Sequence, residues 1–171
     1  MMKTFATISS ILLALQIGGA FSQEELHDKI RKMAIQAEGR VQPFDTFARR
    51  FFFIVHGSEK FTILDWKRDS AITLMRIIAC YEVASHYDNE KARKVINAFE
   101  NAPLIMVDNA EVRKTLNLDP QRLHFSIDEI FEESSRVEKL FDIIKSIDPD
   151  KKNALDDAFL NLKRRIGMVR T

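Results

Sequence analysis

The sequence predicts a mainly α fold: a single compact helical domain with a small two-stranded β element. Apolar residues recur at helical spacing through most of the chain. Two short apolar runs, at about 104–107 and 123–125, are bounded by turn residues and predict the two strands. The chain has 171 residues, is 46% hydrophobic and carries a formal net charge of +1. That size and composition fit one folded domain and exclude a disordered chain.

Charge and cysteine content exclude several functional classes. The 26 basic and 25 acidic residues nearly cancel, so no electrostatic argument favours nucleic-acid binding. Cys80 is the one cysteine in the sequence, which rules out an intrachain disulfide and a thiolate zinc cluster. Because Cys80 lies among apolar residues, we expect it to be a small buried hydrophobe.

The first 22 residues have the pattern of a signal peptide. Lys3 precedes an apolar run at 5–17, and small residues follow at 18–20. A membrane anchor is the alternative, although the run is short for a span and contains polar residues. We therefore expect an exported chain, in the periplasm or on the extracytoplasmic face of a membrane. Its mature domain would cover 23–171, with no membrane span after cleavage.

Local signals place the helices of the first half. Ser22–Glu25 has the sequence of a capping box and predicts a helix that continues to Gly39. Pro43 starts the next helix, which is predicted to end at Gly57. Its apolar stripe, which predicts the centre of the core, comprises Phe44, Phe47, Ala48, Phe51 and Val55.

Two further helices are predicted before the first strand. Thr62–Asp65 is a candidate cap for a helix that extends to about Tyr87. This helix is apolar on most sides over 71–83, as expected of a central helix. Asp88–Asn89 ends it and caps the next helix, which runs through Glu100.

The second half combines the two short strands with further helices. Asn109 is predicted to cap a short helix that reaches Leu116. Ser126–Glu129 has the sequence of another capping box, and a helical stretch follows at 137–147. Asp148–Pro149 predicts the cap of the last helix. The apolar face of that helix comprises Leu155, Phe159, Leu162 and Ile166.

Common catalytic signatures are absent from the sequence. It contains no nucleophile elbow, zinc-protease motif, phosphate-binding loop or dinucleotide fingerprint. The histidines are dispersed singly, without the spacing of metal ligands, at His27, His56, His86 and His124. His56 and His86 are predicted to end helices, where a cation is favoured by the helix dipole. The sequence therefore predicts a protein that is not an enzyme and holds no metal.

The most distinctive segment is residues 39–49, GRVQPFDTFAR, which we call the GR motif. Gly39 permits a positive φ, and Pro43 sets the φ of a helical first turn. Asp45 and Thr46 are predicted to lie near the positive end of the following helix. Asp45 and Arg49 are spaced to form an ion pair on a solvated helix face.

The GR motif resembles the pattern G-R-[VI]-x-P-x-[DH]-T-x-A in the extracytoplasmic parts of system II-type bacterial cytochrome c assembly proteins. These belong to a membrane apparatus that exports haem and attaches it. The similarity extends over about 37–166, although 84–100 looks like an additional helix. Further segments that resemble the family are Leu64–Trp66, Pro103–Asn109, Glu111–Leu118, Phe125–Ile130 and Leu155–Ile166.

The resemblance implies a non-catalytic accessory module of cytochrome c biogenesis that acts with a membrane cytochrome c assembly protein. The resemblance assigns no catalytic residue to this sequence. The candidate partner-contact residues are Gly39, Arg40, Pro43, Asp45, Thr46 and Arg49. Alternatively, these six residues only lock a turn between two helices. Two other functions stay open: a haem-binding chaperone with no ligand assigned, and a secreted helical protein-interaction domain unrelated to haem.

Overall fold

A computed structural model describes residues 22–37, 39–59, 61, 63, 66, 69–131, 134–148 and 152–170. Within these ranges the protein has eight helices and two antiparallel two-stranded sheets, so the predicted mainly helical fold is confirmed. The predicted signal peptide lies outside the described residues except for Ser22, and most of the candidate cap at 62–65 also lies outside them. No helix among the described residues is long and apolar enough to cross a membrane.

The described residues form two compact units. The first contains the residues up to Phe52 and Glu59–Ile96, and the second contains Phe53–Ser58 and the residues from Asn97 onward. The division therefore crosses the chain within two helices and once more between Ser58 and Glu59. The prediction of a single domain stays a prediction.

The elements of the first half occur in the order helix, hairpin and three helices. They are α1 Gln23–Lys32, β1 Ala34–Ala37, β2 Arg40–Pro43, α2 Phe44–His56, α3 Ser70–His86 and α4 Glu90–Glu100. The second half alternates two short strands with four helices. Its elements are β3 Ile105–Met106, α5 Ala110–Thr115, β4 His124–Phe125, α6 Ile127–Phe131, α7 Ser134–Ser146 and α8 Ala154–Arg170.

α1 begins as predicted but ends early. The Glu25 carboxylate accepts the Ser22 N–H at 2.8 Å and the Ser22 hydroxyl accepts the Glu25 N–H at 3.3 Å, which is the expected capping box. The prediction that the helix continues to Gly39 is wrong, because β1 and β2 pair as an antiparallel hairpin from Ala34↔Pro43 to Ala37↔Arg40. Gly39, with φ +77°, lies in the turn of this hairpin and does not end a helix.

α2 supplies aromatic side chains to the first unit. Phe44, Ala48 and Phe51 are buried as predicted, whereas Phe47 is only half-buried. Phe52 is also fully buried, although it lies outside the predicted stripe. Its ring stacks on Phe61 with centroids 5.5 Å apart, so burial extends over a wider face of α2 than the stripe indicated.

α3 begins at Ser70, later than the candidate cap at 62–65. Asp69 is the N-cap, and its carboxylate accepts the Ile72 N–H at 3.1 Å. The same carboxylate accepts a hydrogen bond from Arg31 of α1 at 2.6 Å, which joins the two helices within the first unit. Buried positions end at Ile77, so the prediction of a helix buried on most sides through Val83 is wrong for its second half.

The second unit has its own apolar core beneath the short sheet. β3 and β4 pair antiparallel as Ile105↔Phe125 and Met106↔His124, which confirms the predicted strand pair. α8 packs against β3, α5 and α7. The buried side chains of this unit are Val55, Phe99, Leu104, Ile105, Val107, Val112, Phe125, Ile127, Ile130, Val137, Phe141, Ile144, Phe159, Leu162 and Ile166.

Of two helix caps predicted in the second unit, one is confirmed and the other is wrong. The Ser126 and Glu129 capping box is present, with hydrogen bonds of 2.7 and 3.1 Å. The cap predicted for the last helix at 148–149 is wrong, because α8 begins at Ala154. The side chain of Asn153 accepts the N–H groups of Leu155 and Asp156 at 2.8 and 3.0 Å, and so provides the same chemistry closer to the helix.

A substitution at Asn109 tests how much an N-cap side chain contributes to the free energy of unfolding. Its side-chain oxygen accepts the N–H groups of Glu111 and Val112 at 2.9 and 3.1 Å, as predicted for a cap of α5. We expect Asn109→Ala to lower the free energy of unfolding in urea by about 1 kcal/mol, because both N–H groups lose their acceptor. Asn161→Ala, at an exposed residue in the interior of α8, is the control and should not lower it, because alanine is a better helix former than asparagine. Equal losses in both variants would contradict the assignment.

Candidate functional site

The GR motif forms the turn and second strand of the hairpin and the first turns of α2. Gly39 adopts the predicted positive φ in the turn. Arg40 begins β2 with an exposed side chain, and Pro43 ends β2, also exposed. The backbone N–H of Phe44 donates to the carbonyl of Met33 at 2.8 Å, which closes the open end of the hairpin. The turn that these residues hold therefore lies between two strands, which corrects the alternative of a turn between two helices.

The first turns of α2 carry a charged cluster. Nε of Arg49 donates to the Asp45 carboxylate at 2.9 Å, which confirms the predicted ion pair. Nη1 of Arg49 also lies 3.7 Å from a carboxylate oxygen of Glu59, while Thr46 is exposed nearby on the helix. Exposed pairs of this kind are worth only about 0.3–0.5 kcal/mol, so a partner can rearrange them at little cost.

β2 places an apolar side chain outward and a polar one inward. Val41 is 72% exposed, whereas Gln42 is 7% exposed. Both polar atoms of the Gln42 side chain are buried without a hydrogen-bond partner among the described residues. Neither residue is among the predicted contact residues, because this alternation is the reverse of the apolar-in, polar-out pattern by which a half-buried strand is recognised.

The second unit brings together two histidines that are 68 residues apart. The ring centroids of His56 and His124 are 4.2 Å apart and the ring planes are tilted by 40°. Nδ1 of His56 lies 3.2 Å from the carbonyl of Leu104, and Nε2 of His124 lies 2.9 Å from the carbonyl of His56. Burial lowers the pKa of His56, and the neighbouring His124 lowers it further. We call these two residues the histidine pair.

His56 ends α2 and His86 ends α3, as predicted. Sequence spacing contains no signal for the histidine pair, because only the fold of the second unit makes these residues neighbours. Among the described residues, no three histidine, cysteine or acidic side chains converge in a way that could hold a metal ion.

Cys80 differs from its predicted environment. It is half-buried on α3 and not fully buried. Burial raises the pKa of the Cys80 thiol, and the nearby charge of Arg76 offsets this only in part. The thiol form is therefore favoured over the nucleophilic thiolate.

The chain matches no protein-family model, no curated protein and no solved structure. The fold and the exposed side chains define a mainly helical protein with a solvent-facing hairpin.

Proposed function

We propose that this protein is a non-catalytic binding module that contacts another protein through its hairpin and the first turns of α2. The observation that carries the proposal is the exposure of Val41, at 72%, beside the exposed Arg40. An apolar side chain that projects from a strand beside an arginine fits the centre of a protein contact, since arginine is enriched at such interfaces.

The charged cluster of α2 fits the border of the same contact. Arg49 is exposed and is shared between Asp45 and Glu59, so it can exchange one carboxylate for a partner's carboxylate without being left unpaired. Polar groups at the edge of an interface set orientation and partner choice more than affinity. Gly39 and Pro43 contribute through their backbone conformation, because the turn and the end of β2 fix the direction in which the Val41 side chain points.

The partner we propose is a membrane cytochrome c assembly protein, which makes this chain an accessory module of cytochrome c biogenesis on the extracytoplasmic side. The support for this partner is the resemblance of the GR motif, and of the further segments over about 37–166, to that family. The near-zero net charge is compatible with it, because a strongly basic surface would favour nucleic acid or anionic lipid.

The test is affinity isolation of the tagged full-length protein from membranes. We expect wild type to recover a cytochrome c assembly protein and Val41→Ser to lower the recovery about tenfold, as expected for the loss of one contact worth about 1.4 kcal/mol. Ile143→Ser is the matched control, because Ile143 is 59% exposed on α7 and lies outside the hairpin. It should leave recovery unchanged.

The possible outcomes test two claims separately: that the hairpin is the contact surface, and that the partner is a cytochrome c assembly protein. Equal recovery with Val41→Ser and Ile143→Ser would overturn the hairpin as the contact surface. Recovery of a different protein that is still sensitive to Val41→Ser would favour an interaction domain unrelated to haem. Normal levels of covalently bound haem in membranes after gene deletion would rule out the role in cytochrome c biogenesis.

A further inference from the structure

The strand β1 has backbone hydrogen-bonding groups that the hairpin does not use. The N–H of Phe44 donates to the carbonyl of Met33 at 2.8 Å, so these two residues form a hydrogen-bonded pair of the antiparallel ladder. Hydrogen-bonded and non-hydrogen-bonded pairs alternate along such a ladder, and the register of the hairpin continues from this pair. Ala34 and Gln36 therefore direct their N–H and C=O groups away from β2.

These groups lie at an exposed edge of the hairpin. Ala34 and Gln36 are both exposed. In the part of the chain that the structure describes, no third strand pairs with the hairpin and no other backbone group bonds to these two residues. Two donors and two acceptors, placed about 7 Å apart along the strand, are the pattern with which a sheet binds a further strand. The occupant that fits this edge is therefore an extended backbone.

The edge of β1 lacks the features that usually block the addition of a strand. Its sequence, AIQA, contains neither a charged residue nor a proline. The edge of β2 differs, because its outward-directed residues are Val41 and Pro43, and a proline has no N–H to donate. Arg40 also adds a charge to β2. The addition of a strand is therefore favoured at β1.

The edge of β1 is complementary to a second copy of itself. When two copies of β1 are placed antiparallel about a two-fold axis at Ile35, Ala34 of each copy lies opposite Gln36 of the other, and all four outward N–H groups meet a carbonyl. An axis at either neighbouring residue would instead place Ala34 or Gln36 opposite a residue outside β1. Half-buried apolar side chains follow the other face of the strand, and in this register Ile35 meets its own copy and Met33 meets Ala37.

We propose that the protein forms a dimer in which the β1 strands of two copies pair antiparallel about Ile35 and join the two hairpins into one four-stranded sheet. The pairing satisfies the outward backbone groups of Ala34 and Gln36 and covers more of the apolar row on the other face. Four hydrogen bonds and three apolar residues from each copy make a small interface, so the dimer is weak and reversible, with a Kd on the order of 100 μM.

The dimer does not depend on the identity of the partner protein proposed above. A two-fold axis perpendicular to the sheet leaves Val41 of both copies on the same outward face. The four-stranded sheet therefore presents two contact surfaces to a partner, and binding at both of them raises the affinity without a new kind of contact.

Sedimentation of the purified full-length protein tests the dimer. We expect wild type to change from monomer to dimer between about 10 μM and about 1 mM. Gln36→Pro should raise the Kd at least about tenfold, because it removes two of the four hydrogen bonds between the copies. The Gln36 N–H points away from β2, so this substitution leaves the ladder of the hairpin intact.

Gln36→Ala is the matched control for the proline variant. It removes the side chain but keeps the backbone N–H, and it should associate as wild type does. Association through any other segment of the chain would affect the two variants equally. A wild type that stays monomeric at about 1 mM, or equal association of Gln36→Pro and Gln36→Ala, would overturn the proposal.

Disulfide cross-linking tests the register and decides the question if Gln36→Pro does not fold. In a Cys80→Ser background, Ile35→Cys should form an intermolecular disulfide on mild oxidation, because the Cα atoms of a non-hydrogen-bonded pair are about 4.5 Å apart. Val41→Cys is the control. Val41 is more exposed than Ile35, but three strand spacings, or about 14 Å, separate its two copies in the dimer. Equal cross-linking of both variants, or none of Ile35→Cys, would overturn the proposed pairing.

Discussion

Replacing Phe52 by alanine is expected to lower the free energy of unfolding by about 3–5 kcal/mol, the usual loss when a buried aromatic ring leaves a cavity. The Phe52 side chain is fully buried. It stacks on Phe61 at 5.5 Å and meets the edge of Phe51 at 5.2 Å, so the substitution removes ring contacts within the first unit as well as buried area.

The next residue provides the control. Phe53 is 57% exposed, and we expect Phe53→Ala to change the free energy of unfolding by less than about 0.5 kcal/mol. Urea denaturation monitored by circular dichroism measures both variants. Similar values for Phe52→Ala and Phe53→Ala would mean that the assignment of the buried face of α2 is wrong.

The predicted apolar stripe identified most of the buried face of α2 but not Phe52. Helical spacing correctly selects Phe44, Ala48 and Phe51. Phe51, Phe52 and Phe53 are consecutive phenylalanines, so hydrophobicity alone does not separate the buried ones from the exposed one. The difference depends on Phe61, a residue beyond the helix whose position the sequence pattern does not specify.

Helix starts were predicted well where the signal is local. Four residues that were expected to cap helices each have a side chain that accepts a backbone N–H within the next three residues. They are Ser22, Asn89, Asn109 and Ser126. This chemistry requires a short polar side chain and a helix directly after it, so a window of four residues contains the necessary information.

The hairpin was missed because its sequence is compatible with a helix. Ala34–Ala37 has two alanines, and Gly39 is a common residue after a helix C-terminus. In the structure the positive φ of Gly39 serves a turn between strands, and the Phe44 N–H bonds to Met33 across the base of the hairpin. The N-terminal side of the GR motif is thus the turn and second strand of a hairpin, where the sequence predicted a turn between two helices.

The second large effect is expected at Gly57. Gly57 has φ +76°, so an alanine there adopts a left-handed backbone at a cost of about 1–2 kcal/mol. Its Cβ would also lie 2.6 Å from the Met106 sulfur and 3.1 Å from the terminal methyl carbon of that side chain. Forcing Met106 to move adds about 1–3 kcal/mol. We therefore expect Gly57→Ala to lower the free energy of unfolding by about 2–5 kcal/mol.

Gly39→Ala isolates the backbone part of this loss. Gly39 has nearly the same backbone angle, φ +77°, but a Cβ there would meet no atom within 4 Å. We expect it to cost only the backbone strain of about 1–2 kcal/mol, measured in the same urea experiment. If Gly39→Ala costs as much as Gly57→Ala, close packing against Met106 contributes nothing and the contact is not tight.

A double-mutant cycle then measures the steric contribution directly. Met106→Ala removes the side chain that a Cβ at Gly57 would meet, so the Gly57→Ala substitution should cost less in the Met106→Ala background than in the wild type. The difference between these two losses in free energy of unfolding should account for most of the amount by which Gly57→Ala costs more than Gly39→Ala. Since Gly57 follows the last residue of α2 and Met106 belongs to β3, this excess also measures how closely the end of α2 is packed against β3.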